Sequence, residues 1–346
     1  MIIKNTLKNL IFIFMMYVVC SNPYMIMESV KNGLGICYES IIPSLFVFTV
    51  ISNYARQSDI LSLLSLPFYP YSKLMKIKDK SYSGYLLLSL IGGFAIGANM
   101  LKKLQDDGYD EKALDVLGIT MINNSFGFCV FTLGTGMLNN YFTGLLLYGA
   151  LCLSSLITAF LVSFLYQYNI VTSREFTEKS TVSLVESIRK STDTILYICG
   201  FVVVFNCMCE VIQLYTGQYS DFICIFTEIT CGLLGILSDY GNNLYLICFA
   251  LSVLPVCTLC QVYYFTGNKS LVKTLMASRI IHTPLSLIIF SLLKNMFPVS
   301  VQTASAGNMI LKGYSAGTEL SFTLFILTFI FLKLFENNKL FTKKAE

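Results

Sequence analysis

Charge is what this chain has least of. Only 13% of its 346 residues are charged, about half of the roughly 25% usual in soluble domains. A soluble protein this poor in charge could not cover its surface, and the disordered, collagenous and coiled-coil classes fall for the same reason. A nucleic-acid footprint is also lacking: the net charge is +4 and spread over short loops, so no nucleic-acid partner is expected. Histidine occurs once, at His282, which excludes most His-rich metal sites. No G-x-S-x-G, H-E-x-x-H or Walker A pattern is found. The expectation is therefore no enzymatic activity, no cofactor, no metal and no intrinsic coupling to ATP. Alternating segments of about 10 residues, which a membrane β-barrel would need, are absent too.

What is present is apolar. Hydrophobic residues make up 55% and the mean hydropathy is +0.67. The fold class expected is an all-α, polytopic helical membrane protein, multi-pass in the lipid bilayer. Most of the twelve cysteines lie inside apolar runs, where Cys behaves as a small hydrophobe. Cys257 and Cys260 form a C-x-x-C, but no second pair or histidine stands nearby in sequence, and a closed zinc site wants four ligands. Packing is the reading for them.

Lys4 and Lys8 precede the apolar run Leu10–Val19, as in a signal peptide. No small-x-small cleavage site follows, so an uncleaved first membrane helix is expected. A helix needs about 20 mostly apolar residues to span. The candidates are Leu10–Met27, Ile36–Tyr54, Gly84–Leu101, Leu114–Leu138, Tyr141–Tyr166, Thr194–Cys209, Phe222–Leu237, Leu244–Phe265, Leu271–Leu293 and Leu320–Phe335. They make about eight to ten spanning or re-entrant segments at that length. Ile60–Met75, broken by Pro67 and Pro70, reads as re-entrant or interfacial. The one polar linker is Gln167–Asp193. The organisation expected is an N-terminal helix (1–35), a first half (36–166), the linker (167–193), a second half (194–335) and a polar tail (336–346). Lysines near both ends favour cytoplasmic termini. Pro43–Gln57 can be laid against Cys199–Gln213, which suggests an inverted repeat with broken helices whose substrate site lies where the breaks meet.

Several polar interruptions carry that idea. Gly92, Gly93 and Gly97 sit within six positions of an apolar helix, each costing about 1 kcal/mol against Ala. Either they let helices pack closely or they break the helix and free backbone for a ligand. Asn99 follows on the exit side. Asn123, Asn124 and Ser125 precede an apolar run. Adjacent amides point about 100° apart on a helix, so one neighbour can hardly satisfy both, which favours a break or a cavity. Such a break could cap a half-helix aimed at an anion. Glu228 is the one charge in its apolar segment, and intramembrane carboxylates are functional candidates. Arg279 and His282, three apart, share a helix face and are its potential partners; a substrate carboxylate is the favoured partner of Arg279, since Glu228 has its own helix break at Gly232 to serve. Ser252, Pro255 and Gln261 form the second-half counterpart of the Asn-Asn-Ser break.

Five strings then stand in order: P-S-L-F-V-F (Pro43–Phe48), G-G-F-A-I-G-A-N (Gly92–Asn99), N-N-S-F-G-F (Asn123–Phe128), E-I-T-C-G (Glu228–Gly232) and S-R-I-I-H (Ser278–His282). Together they resemble the YlbJ-type sporulation integral membrane proteins (SpoVV), which carry the nucleoside-recognition or Gate domain. The resemblance spans roughly Ile36 to Phe297. It implies a transporter or facilitator in the bacterial cell membrane, specifically the outer forespore membrane, moving dipicolinate, a planar dianion, during sporulation. It also implies a nucleoside-transporter-like fold with re-entrant segments. Two alternatives stand beside this: a carrier for nucleosides or another neutral solute, and a non-transporting scaffold in spore-envelope assembly. A scaffold would not need buried polar residues in broken helices. The expected partners are the lipid bilayer and a small anion, with self-association into a homo-oligomer left open.

Overall fold

In the computed structural model the described residues are 13, 16–56, 60–77, 80–165, 183–217, 220–241 and 243–298. Among them there is no strand; helices follow one another throughout. The span expected at Leu320–Phe335, the tail 336–346, Lys4 and Lys8, and linker residues 167–182 lie outside the described residues.

Helix α1 (Pro23–Ile36) runs through a π-helical turn (Cys37–Ile41) into α2 (Ile42–Arg56). The boundary expected at 35/36 thus falls within continuous helix. Two short helices, α3 (Ile60–Leu64) and α4 (Tyr69–Leu74), fill the broken segment that sequence marked as too short to span. Then come α5 (Lys80–Gly92), α6 (Phe94–Asp106), α7 (Glu111–Met121), a π-helix (Gly127–Met137) and α8 (Tyr141–Ser163). The second half comprises α9 (Leu184–Thr216), α10 (Ser220–Thr227), α11 (Ile229–Asp239), α12 (Leu244–Ser252), α13 (Val256–Thr266) and α14 (Lys269–Met296). Among the described residues five helices are long and apolar enough to cross a membrane: Pro23–Ala55, Tyr141–Ser163, Leu184–Thr216, Leu244–Thr266 (across the α12–α13 break) and Lys269–Met296. The chain is an all-α protein built for a bilayer.

Helix α9 begins ten residues before the expected span at Thr194, inside the stretch read as linker. Its first turns are polar on both faces for different reasons. Glu186 and Lys190 pair in solvent at 3.4 Å, whereas Ser187 and Ser191 are buried, and Ser191 Oγ accepts from Asn53 Nδ2 at 2.9 Å.

Each half repeats one plan: a long helix, a folded-back pair, a broken crossing helix, and a closing helix. Equivalent long helices pack antiparallel. Asn53 of α2 reaches Ser191 of α9, while Asn206 of α9 donates to the Ser29 carbonyl of α1 at 2.8 Å. These two bonds run in opposite chain directions and exchange the roles of the halves. The closing helices α8 and α14 are antiparallel as well: Phe142 meets Phe297 at one end, and Ser154 meets His282 further along. Antiparallel equivalents are what an inverted repeat requires.

Two of the expected spans do not cross straight through. Helices α10 and α11 fold against each other, and a Cβ on Gly232 would stand 2.6 Å from the Ile225 Cα. Helices α5 and α6 pack together in the same way. By contrast α7 and the π-helix, and α12 and α13, continue onward past their breaks and scarcely touch.

Candidate functional site

Four breaks interrupt these segments, each near its middle: at Gly93, at Ile122–Ser125, at Glu228 and at Val253–Pro255. A break leaves backbone groups without intrahelical partners, and in hydrocarbon those groups must find protein or a wet cavity. The breaks meet one another. Gly93 has φ +79°, and a Cβ on it would lie 2.7 Å from the Ser125 Cβ and 2.8 Å from its nitrogen. One step on, Gly97 lets α6 approach the Met121 carbonyl at the end of α7 more closely than any side chain would permit.

The first cavity, about 50 Å³ in volume, lies where the N-terminal ends of four half-helices converge. Gly93 and Ala95 bring the start of α6, with Gly92 closing α5 beside them; Asn124 and Ser125 bring the start of the π-helix; Glu228 and Thr230 bring α11; Cys257, Thr258 and Gln261 bring α13. Each N-terminus carries unpaired N–H groups and a partial positive charge. Two of them are served locally: Phe128 N–H donates to Ser125 Oγ at 3.0 Å, and Cys231 N–H donates to Glu228 Oε2 at 2.8 Å. The other two, α6 and α13, have no side-chain cap. Gln261, 2% exposed, donates to Cys257 Sγ at 3.3 Å, and its Oε1 has no partner among the described residues.

The second cavity shares Phe94, Asn124 and Thr258 with the first and adds the C-terminal ends of α7 and α12. Arg279 enters it from α14. Its Nη2 donates to the Ile122 carbonyl at 3.1 Å and its Nη1 to the Ser252 carbonyl at 3.4 Å. Asn124 Nδ2 donates to the Leu251 carbonyl at 2.8 Å. Guanidinium and amide thereby bind the carbonyl ends of α7 and α12 to each other across the two halves. Asn123 also lines this cavity and donates to the Thr120 carbonyl at 2.9 Å.

Several expectations need correcting. Glu228 and Arg279 do not pair: the ion pairs among the described residues are Lys102–Asp106, Lys103–Asp107 and Lys190–Glu186, all exposed. The break that Glu228 serves is its own position, not Gly232, which sits inside α11 at the contact with α10. Arg279 and His282 do not address one neighbour. His282, 1% exposed, turns to α8. Ser154 Oγ donates to the Leu151 carbonyl at 2.9 Å, so it accepts from His282 Nδ1 at 3.0 Å. That leaves Nε2 as the free acceptor, without a partner among the described residues. His282, Asn99 and Ser252 line neither cavity; the Ser252 carbonyl accepts from Arg279, and its hydroxyl donates to the Phe249 carbonyl at 2.7 Å. Sequence reading missed Thr258, which faces both cavities, and Thr230. The signal for Thr258 was Pro255: a hydroxyl one turn past a break faces the same space as the break.

No protein family, curated protein or solved structure matches this chain.

Proposed function

We propose that this membrane protein is a transporter or facilitator for a small anionic solute, with dipicolinate, carried across the outer forespore membrane, as the candidate that the resemblance supplies. The observation that carries the reading is the meeting of two uncapped N-termini, α6 and α13, in one buried cavity. Backbone N–H groups at helix starts favour anions, and a planar solute with two carboxylates offers one to each start. The cavity's volume of about 50 Å³ holds only a few waters. A solute of dipicolinate's size therefore enters when the breaks separate, as rocking of one repeat against the other allows. A scaffold has no use for such a cavity.

Glu228 favours a second reading. Its carboxylate already occupies the α11 N-terminus and faces the same space, where it repels an anion and accepts bonds from hydroxyl or N–H donors of a neutral solute such as a nucleoside. Uptake of labelled dipicolinate and of uridine into proteoliposomes separates the readings. Dipicolinate uptake without uridine uptake, made faster by Glu228→Gln, is the expected result. Uridine uptake that Glu228→Gln abolishes would establish the neutral-solute reading instead. Uptake of neither would leave the scaffold.

A further inference from the structure

The C-terminal ends of α7 and α12, one from each half, meet at the second cavity, beside the α6 and α13 starts that it shares with the first. A helix C-terminus carries roughly half a negative charge, and its last carbonyls want donors or a cation. In inverted-repeat transporters, carbonyl ends of this kind coordinate the coupling sodium ion. Here the Ile122 and Ser252 carbonyls take the two Nη groups of Arg279, and the Leu251 carbonyl takes Asn124. A guanidinium is always charged and never leaves the chain.

We infer that Arg279 is a tethered cation standing where a coupling ion would bind, so that this protein moves its solute without an alkali-metal cation. The inference rests on the transporter reading, and it assigns the site's energetics: no sodium or potassium gradient drives the solute. Arg279 is a positioning residue in this account. It fixes the two broken crossing helices relative to each other and leaves the first cavity to the solute.

The test uses purified protein in proteoliposomes, equal pH on both sides, and dipicolinate and uridine as probes. Initial rates in NaCl, KCl and N-methylglucamine chloride should agree within about twofold, and internal solute should stop at the external concentration. Accumulation above the external concentration, driven by an inward sodium gradient, would overturn the inference while leaving the transporter reading intact. Failure of both probes in every salt would count against the transporter reading, and thermal unfolding in detergent then decides the inference separately. Wild-type Tm should be the same in sodium and in N-methylglucamine at equal ionic strength. Arg279→Gln, which removes the charge, should lower Tm and gain a sodium-dependent rise of about 2 °C or more. A sodium-dependent Tm in the wild type, or an Arg279→Gln protein indifferent to sodium, would overturn it. If Arg279→Gln does not fold, Arg279→Lys keeps the charge and should remain indifferent to sodium; a sodium response there is equally fatal.

Discussion

Gly93 concentrates the demands of the site in one residue. Its φ of +79° is a backbone region that L side chains avoid, and its α-hydrogen faces Ser125 at a distance no Cβ could occupy. The first effect is local strain and the second is steric, so they add. Gly93→Ala should destabilise the protein by about 1–3 kcal/mol, read as a lower Tm in detergent together with loss of uptake. An alanine variant with unchanged Tm would mean that the two breaks do not touch. Gly92, its neighbour, is different: it closes α5 in helical conformation, and only Gly93 leaves the helix. The sequence carried both as a pair because two adjacent glycines look equivalent until one of them takes a positive φ. Glu228 shows the same limit from the other side. As a letter it is a charge in an apolar run; as an N-cap it is the break itself.

At the scale of elements, the interruptions were legible and their geometry was not. Gly93, the Asn123–Ser125 cluster and Pro255 each put a residue type hostile to apolar helix at the middle of a span. Hydropathy counts residues, however, and does not give direction. Gly84–Leu101 and Phe222–Leu237 read as crossing helices, yet in the fold each doubles back at its break. What decides is a close approach that only a small residue allows, and this makes Gly232 a test of the hairpin. Gly232→Leu should push α10 and α11 apart, since even a Cβ would stand within 2.7 Å of Ile225 backbone. Overpacking of this kind costs about 1–3 kcal/mol. Faster proteolysis between the two helices would report it, and a leucine variant as resistant as wild type would contradict the hairpin.

For the whole molecule, the order of crossings fixes which ends share a side. Following α1–α2, the folded-back α5–α6, the broken α7–π-helix and α8 places the α6–α7 turn and the starts of α9 and α14 on one side. Lys73 and Lys76, Lys102 and Lys103, Lys112, Arg189 and Lys190, and Lys269 and Lys273 all lie there. Only Lys31 and Lys294 among the described residues lie toward the other side. The positive-inside rule then predicts that the α6–α7 turn and the α13–α14 turn face the cytoplasm. An epitope inserted at Gly108 should be reached by antibody only after permeabilisation, and one at Gly241 without it; the reverse pattern would invert the topology. This orientation was not readable from the sequence alone, because the count of crossings depends on which interrupted segments double back.

In the transporter reading, one cavity, ringed by four half-helix N-termini, holds the solute. Cys257 is buried and lines it, whereas Cys20 is an exposed thiol that lines neither cavity. Alkylation of both by N-ethylmaleimide, followed peptide by peptide in a mass spectrometer, tests the claim at its own site. Dipicolinate, or uridine under the neutral-solute reading, should slow modification of Cys257 by about threefold or more, as ligand at roughly twice its Kd would, and leave Cys20 unchanged. Equal rates at Cys257 with and without either solute would contradict the account.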